Sequence, residues 1–573
     1  MKNQTVAQIL YEIADLLDIK GEGFFVTRAY RMAAQTIEIL DEDINKLVQE
    51  QRLTDIQGIG NALAKKITEL VTTGKLQFLE DLKQDVPESL LTLLKIQSLG
   101  PKKVSSLYQN LGIETIDDLK HACQKEKVRD LDGFGVVTEL NILRGIALLE
   151  KTSGRALLNV ADDDGKELLT YLQEHGGVNR ISIAGSLRRM KETIGDLDIL
   201  VASNKALEIM EHFTAYPKCD RVLMKGPTKS SIILRDHLQV DLRVVEEKSF
   251  GAALQYFTGS KEHNVAMRSR ALSQGYKLNE YGLFDKETEH YIAGKTEEDI
   301  YRHLGLDYIE PELRENRGEL KAAENHRLPA LIQYSDIRGD FHVHSNMSDG
   351  FYSIENIVNA ARGLHYEFIT ITDHSQSLKV ANGLSEARVK KKKQTIAKLN
   401  KQYDDITIYC GTECDIKADG SMDYNDTILQ EFDIVYGGIH TAFTMDGPTA
   451  TQRIITAMEN PYVHAIAHPT CRMIGRRQPF DVDIEKIITT AVETNTFLEI
   501  NAFPDRLDLH DIHVKQAKDR GAQIIIGSDS HFIANLPFIR YGVATARRGW
   551  LEASDVLNTY PPADIERILG VQK

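Results

Sequence analysis

The stretch "GSLRRMKETIGDLDIL", residues 185–200, carries a glycine–serine pair, two arginines and then "GDLD" inside an apolar run. Asp196 and Asp198 stand two apart, and alternation along a strand puts both side chains on one face. Two neighbouring carboxylates repel each other, so such a pair calls for a cation between them. Hard divalent ions such as Mg²⁺ take oxygen ligands and phosphates. A second strand-like run, "LQVDLRVV", offers Asp241 as the third carboxylate of a two-metal site for in-line nucleotidyl transfer. By itself "DLD" also fits an exposed edge strand. The glycine, serine and arginines upstream favour phosphate chemistry.

The 573-residue chain is too long for one core, so several domains are expected. Its hydrophobic fraction of 42% is ordinary, and its net charge of −15 argues against a uniformly basic nucleic-acid binder while leaving room for local basic surfaces. No apolar run approaches the roughly 20 residues of a membrane span, and the start lacks the pattern of a signal peptide. Cys123, Cys219, Cys410, Cys414 and Cys471 are scattered, odd in number and form no CxxC pair. That usage fits a reducing cytoplasm without a disulfide framework.

Before the aspartates the sequence reads as short amphipathic helices with a loose internal repeat. "IQGIGNALAKKI" begins at Ile56, "IQSLGPKKVSSLY" at Ile96 and "LDGFGVVTELNIL" at Leu131. Glycines such as Gly58, Gly60 and Gly100 let a turn expose its amides, and the following helix start adds partial positive charge. Together these cradle a phosphate without reading a base: a helix-hairpin-helix pattern. Strands appear from about residue 155. The polar segment 311–336, with a proline near each end, reads as a linker. Beyond it "FITITD", "ITIYCG", "DIVYGGI", "HAIAHP", "FLEIN" and "QIIIGSD" alternate with helical stretches, a parallel α/β layout either open or closed into a barrel.

"YFTGSKEHNVAMRSRALSQGYKLNEYGLF", residues 256–284, narrows the class. With "GS…GDLD" and the hairpins, residues 1–312 resemble family X DNA polymerases, the group of vertebrate DNA polymerase beta. The resemblance implies that Asp196, Asp198 and Asp241 are catalytic and hold two Mg²⁺ or Mn²⁺ ions, with Asp241 nearest the primer 3′-hydroxyl. It implies that Ser186 and Arg189 bind the triphosphate, that Gly195 lets the backbone approach it, and that Tyr256 and Phe257 pack on the sugar. Asn264 and Arg268 would reach minor-groove edges. Read without it, Tyr256 and Phe257 also fit core aromatics, and Arg188 reads as a solvated or phosphate-facing neighbour. Two departures stand out. Lys261 occupies a position where the vertebrate enzyme has aspartate. Lys66 matches the Schiff-base lysine of the lyase step, but Ala62 and Val26 replace supporting lysines, and a lysine on an open hairpin helix is more often a phosphate contact.

"DFHVHSNMSDG", residues 340–350, sets His342 and His344 two apart with Asp349 in the following turn. His374, Glu413, His440, His468, Glu499, Asp529 and His531 nearly all close apolar, β-branched runs, at the strand ends where α/β sheets and barrels carry active sites. Imidazole suits Zn²⁺ or Mn²⁺, carboxylates bridge metals, and so many donors exceed what one ion uses. His365, His464, His510 and His513 read as non-ligands. Residues 337–573 resemble the polymerase-and-histidinol-phosphatase (PHP) domain, a phosphoesterase with a trinuclear centre. That resemblance assigns His342, His344, Asp349, His374, Glu413, His440, His468, Asp529 and His531 as ligands of two to three Zn²⁺ or Mn²⁺ ions. The basic run "RVKKKKQTI" from Arg388 reads either as a DNA-backbone contact or as a solvated helix face.

The expected fold is therefore multidomain: an α-helical helix-hairpin-helix region, an α+β nucleotidyltransferase palm with fingers and thumb, and an α/β PHP domain in a distorted barrel. The expected divisions are a lyase-like hairpin domain (1–80), a second hairpin subdomain (81–150), palm (151–245), nucleotide-selection subdomain (246–312), linker (313–336) and PHP domain (337–573). The expected function is gap filling in base-excision repair by a monomer acting on gapped or nicked DNA and deoxynucleoside triphosphates, away from membranes. The PHP domain would supply 3′-5′ exonuclease, 3′-end cleaning or nicking at abasic sites. The rival expectation is a small-molecule phosphatase tethered to a DNA-binding scaffold.

Overall fold

The computed structural model describes residues 1–570 apart from 2, 39, 41, 57, 95, 97, 98, 153, 236 and 444. Gln57, Gln97 and Ser98 of the hairpin motifs therefore lie outside the described residues. The chain divides into one unit of Met1–Ser153 with Met473–Gln478, and another of Gly154–Arg472 with Pro479–Lys573. Among the described residues no helix is long and apolar enough to cross a membrane.

The first unit is helical. Its amphipathic helices bury residues such as Leu10, Ile13, Ile67, Val104, Leu107 and Ile142 in one cluster. Gly60 and Gly100, both extended, precede the helices Asn61–Thr73 and Pro101–Leu111. Pro101 sits at the first helical position, where its missing N–H is no loss. Gly58 takes φ +89°, a conformation other side chains rarely adopt.

After the helix Leu158–Glu174, the second unit carries a five-stranded sheet of β1 (Arg180–Ile183), β2 (Asp196–Ala202), β3 (Cys219–Lys225), β4 (Lys229–Leu234) and β5 (Gln239–Val245). Its spatial order is β1-β2-β5-β4-β3, with β2 and β5 parallel and the other pairs antiparallel. The helices Phe250–Thr258 and Lys261–Ser273 follow, then a three-stranded antiparallel sheet of β6 (Tyr276–Asn279), β7 (Gly282–Asp285) and β8 (Tyr291–Ala293).

The expectation of a linker over 313–336 is corrected in one respect: the segment packs against the core rather than standing free. Leu313, Ala323 and Leu331 join the core with Ile300 and Tyr301. Arg314 and Glu319 are wholly buried because opposite charges wait inside. Glu297 pairs with Arg314 and with Arg188, each at 2.6 Å, and Glu319 lies 2.7 Å from His263 Nδ1. Burial pushes the Glu297 carboxyl up, but the two guanidiniums outweigh it and bring it down to about 2. Arg188 is thereby corrected too. It lies in this network rather than in solvent, and also donates to Thr258.

Beyond residue 336 the strands are β9 (Gly339–Val343), β10 (Phe368–Ile371), β11 (Thr407–Asp415), β12 (Ile434–Gly438), β13 (Ala465–Ile466), β14 (Phe497–Asn501) and β15 (Ile524–Gly527). They pair in chain order, all parallel. The ends of the sheet meet where Val343 bridges Ser530 and His344 N–H donates to the Ser530 carbonyl at 2.9 Å. The layout is thus a nearly closed seven-stranded barrel. Phe341, Phe368, Tyr409, Tyr436 and Phe497 form one buried cluster, while a larger one packs helices onto the strands. Burial on both faces explains why these strands read as continuous apolar runs.

Candidate functional site

In the palm, the parallel register of β2 and β5 sets Asp198 directly beside Asp241. Asp196 lies on the same strand face, exposed at the mouth. Burial, then Asp196 and Asp241, push the Asp198 carboxyl up to about 7. Asp241 is buried, which raises its pKa, but Lys229 Nζ at 2.7 Å and Gln239 outweigh that and hold it low. Gly185, at φ +62°, touches this group: a Cβ there would sit 2.3 Å from Asp198 Oδ2. The cleft above, about 380 Å³, is lined by Ser186, Arg189, Tyr256, Phe257, Asn264 and Arg268 together with Asp196 and Asp198. The Ser186 hydroxyl is shielded there without a hydrogen-bond partner. An orphan donor beside converging carboxylates fits a triphosphate carried with divalent ions.

Several other candidates around the cleft are held by neighbouring residues. Arg189 is braced by the Thr258 carbonyl and by Glu315 at 3.1 Å. Asn264 turns inward: it accepts from Gln255 (2.8 Å) and donates to the Tyr256 carbonyl (2.7 Å), so it positions the Tyr256–Phe257 pair. Those rings pack edge-on, centroids 5.1 Å apart. Gly195 is overlain by Arg155, whose Nη1 lies 2.8 Å from where a Cβ would stand. Arg268 is exposed.

In the helical unit, Gly58, Gly60 and Gly100 are exposed with open space at their Cβ positions, leaving the helix starts accessible. Lys66 is not on an open face. Its Nζ contacts the Tyr30 hydroxyl and lies 3.1 Å from the Phe78 ring centre, and burial lowers its pKa.

The barrel brings all nine sequence-derived ligand candidates together. Glu413 is their centre. One carboxylate oxygen lies 3.0 Å from His440 Nε2 and 2.9 Å from His468 Nε2. The other lies 3.3 Å from His342 Nε2, 3.5 Å from His344 Nε2 and 3.2 Å from His374 Nδ1. Asp349 lies 3.5 Å from His374 and 3.4 Å from His531, and Asp529 lies 3.3 Å from His344. Three subsets have donor atoms within 4.8 Å of one another: His344, Asp349, His374 and His531; His342, His344 and Asp529; His374, Glu413 and His440. Among the described residues, none of these subsets contains His365, His464, His510 or His513.

The electrostatics fit cations. His342 and His344 aim Nε2 at Nε2 across 3.1 Å, which suits two nitrogen lone pairs converging on positive charge. The buried nitrogens His344 Nδ1, His374 Nδ1 and His468 Nδ1 have no hydrogen-bond partner. Burial, then His531 and His374, lower His344 to about 4, and burial, then Arg506, lower His468 to about 3, which keeps both neutral as ligation requires. Burial opposes protonation of His440 and His531 as well, but Glu413 and Asp415 lift the first to about 9, and Asp349 and Asp529 lift the second to about 9.

Comparison with known proteins agrees with this geometry. Residues 1–76 match a helix-hairpin-helix domain, 90–147 the SAM-like helix-hairpin-helix tandem, 253–315 the DNA polymerase beta thumb and 340–502 the PHP domain. The chain is 38% identical over 571 residues, 99% of each protein, to the Bacillus subtilis protein named DNA polymerase/3′-5′ exonuclease PolX. It belongs to the PolX family. Weaker likeness extends to an Arabidopsis thaliana DNA polymerase lambda, 25% identical over 54% of this chain and 62% of that protein. A Shewanella sediminis "Probable phosphatase" is 27% identical over 39% of this chain and 90% of that protein.

This PolX chain also carries supporting residues outside the sequence-derived ligand set. Glu499, noted as a strand-end residue, accepts from His342 Nδ1 at 2.6 Å and from the His468 N–H at 2.7 Å, so it orients two ligands. Asp415 lies 2.8 Å from His440 Nδ1. Asp340 accepts from the His342 and Ser528 amides. The signal for Asp415 and Asp340 was the two-residue spacing from Glu413 and His342, which alternation makes a shared face. Lys392 corrects the reading of the basic helix Glu386–Gln402: it is wholly buried and pairs with Asp373 at 3.0 Å, while Lys390 and Lys391 are exposed.

Proposed function

We propose that this chain fills short gaps in DNA at the palm and trims or cleans 3′ ends at the barrel. The observation that carries the first half is the register of Asp198 against Asp241 below a cleft lined by Ser186 and Arg189. In this reading the primer 3′-oxygen attacks the α-phosphorus of a deoxynucleoside triphosphate and pyrophosphate leaves. Asp196, Asp198 and Asp241 hold two Mg²⁺ or Mn²⁺ ions, which when bound neutralise charge on the transferred group. Ser186 and Arg189 bind the phosphates, Gly195 admits them, Tyr256 and Phe257 back the sugar, and Arg268 faces the nascent pair. Gly58, Gly60 and Gly100 present amides to the DNA backbone.

The second half rests on the Glu413-centred cluster. Two to three Mn²⁺ or Zn²⁺ ions, when bound, supply hydroxide and clamp a phosphate. Hydrolysis of the last phosphodiester is then a 3′-5′ exonuclease, and the same chemistry serves cleavage at abasic sites. Pairing the two activities suits base-excision repair by a cytoplasmic monomer. The likeness to a polymerase/3′-5′ exonuclease along the whole chain supports this over a tethered small-molecule phosphatase.

The test uses a 5′-labelled primer with a mismatched 3′ end at a one-nucleotide gap, with Mn²⁺. Asp198→Ala should still shorten the primer, and His344→Ala should extend a matched primer but shorten neither. If the native chain fills gaps yet no variant shortens DNA, the phosphatase reading of the barrel replaces the nuclease.

A further inference from the structure

Arg506 lies in the turn "FPDRLD" that follows β14. Its side chain is 19% exposed, and its Nε stands 3.4 Å from Asp529 Oδ2. Its Nη1 nitrogen is shielded from solvent and has no hydrogen-bond partner. The guanidinium is also close enough to His468 to help lower that imidazole's pKa. It therefore borders the barrel centre on the side of His468 and Asp529.

The turn is firmly held. Arg472 donates to the carbonyls of Arg506, at 2.8 Å, and Leu507. Asp508, two residues on, accepts from the Thr470 amide at 2.9 Å and the Thr470 hydroxyl at 2.8 Å. A braced backbone thus presents a cation with an unfilled donor. Guanidinium has no acceptor and stays charged, so what completes it is an acceptor, best an anionic one. Asp349, Glu413 and Asp529 crowd the same centre with negative charge that would repel an approaching phosphate, and Arg506 offsets part of it.

We infer that Arg506 forms the phosphate subsite of the barrel centre, its Nη1 donating to a non-bridging oxygen of a phosphate ester. This rests on the phosphoesterase reading above and assigns which side chain grips the group being cleaved. Arginine suits the role because its planar fork matches phosphate oxygens and its charge strengthens the hydrogen bond.

The experiment compares Arg506→Gln and Arg506→Lys with the native residue in the full Asp198→Ala chain, so that the palm adds little metal-dependent phosphate binding. Each protein is loaded with Mn²⁺, its metal content is measured, and inorganic phosphate is titrated by calorimetry. We expect equal metal content and a phosphate affinity about ten-fold weaker or more in Arg506→Gln, with Arg506→Lys between. KM for 3′-end hydrolysis should rise in the same order. Unchanged phosphate affinity in Arg506→Gln overturns the inference. So does loss of metal in both variants, which would make Arg506 a prop for the ligand set. If phosphate binding depends on Arg506 while the native chain never shortens DNA, the subsite stands and the nuclease reading falls.

Discussion

Arg548, on the helix Ile539–Arg548 that packs on the barrel, donates through Nη1 to the backbone carbonyl of Arg189 at 2.6 Å. Glu315 lies 3.1 Å from both guanidiniums, and Asp511 lies 2.6 Å from Arg548. A residue of the nucleotide cleft is thus anchored by a residue of the phosphoesterase domain, through the segment that reads as a linker in sequence.

Removing that anchor should be felt at both ends. Arg548→Ala removes the most buried cation beside Glu315 and Asp511, which keep Arg189 and Arg317, a loss of about 1.5–3 kcal/mol. Urea unfolding should show the drop, and KM for the incoming nucleotide should rise because Arg189 loses a brace. A variant as stable as the native chain, with unchanged nucleotide KM, would mean the bridge is incidental.

The Asp198 carboxyl gives a pH signature in metal-free protein. Its pKa rises from 3.8 unfolded to about 7 folded, so the folded chain holds the extra proton between those values. This group's contribution is fully present below pH about 4 and is lost as pH rises through about 7. With chelator present, Asp198→Asn should therefore melt above the native chain at pH 8, and the gap should shrink toward pH 5. Saturating Mg²⁺ should restore the native chain at pH 8. A gap independent of pH would contradict the assignment.

Gly185→Ala should abolish nucleotide addition while leaving 3′-end hydrolysis intact. The added Cβ meets Asp198 Oδ2 at 2.3 Å, and φ +62° is strained for alanine. Separate gap-filling and exonuclease assays on one preparation decide it; equal loss of both would point to global damage instead.

Lys392→Met strands the buried carboxylate of Asp373, which also takes the Ser345 amide and hydroxyl beside His344. A loss of roughly 3–5 kcal/mol is expected, with lower metal content in the barrel. Adding Asp373→Asn should recover part of it, and the double-mutant cycle measures the coupling. Additive effects would show that the pair does not interact.

Much of this architecture was legible in the sequence because its signals are local. Two-residue spacing put Asp196 with Asp198 and His342 with His344 on shared faces, and the place of the other donors at the ends of strand-like runs pointed to one mouth. The glycine turns with their helices marked the hairpins. What failed was judging environment from composition. The charges of 313–336 and the lysines from 390 onward look solvated in sequence, yet Arg314, Glu319 and Lys392 are wholly buried. Their partners Glu297, His263 and Asp373 lie far enough away in the chain that no spacing rule finds them.

The sequence by itself determined the ligand types, the alternation of strands and helices in the last domain and the aspartate pair, since each depends on residues a few positions apart. Only the tertiary structure decided which carboxylate is central, that Glu499 orients His342, that Asn264 faces inward, and that Arg548 holds Arg189. Those facts depend on the register and packing of strands and helices distant in the chain, where the low dielectric of the interior, rather than residue type, fixes which charges pair.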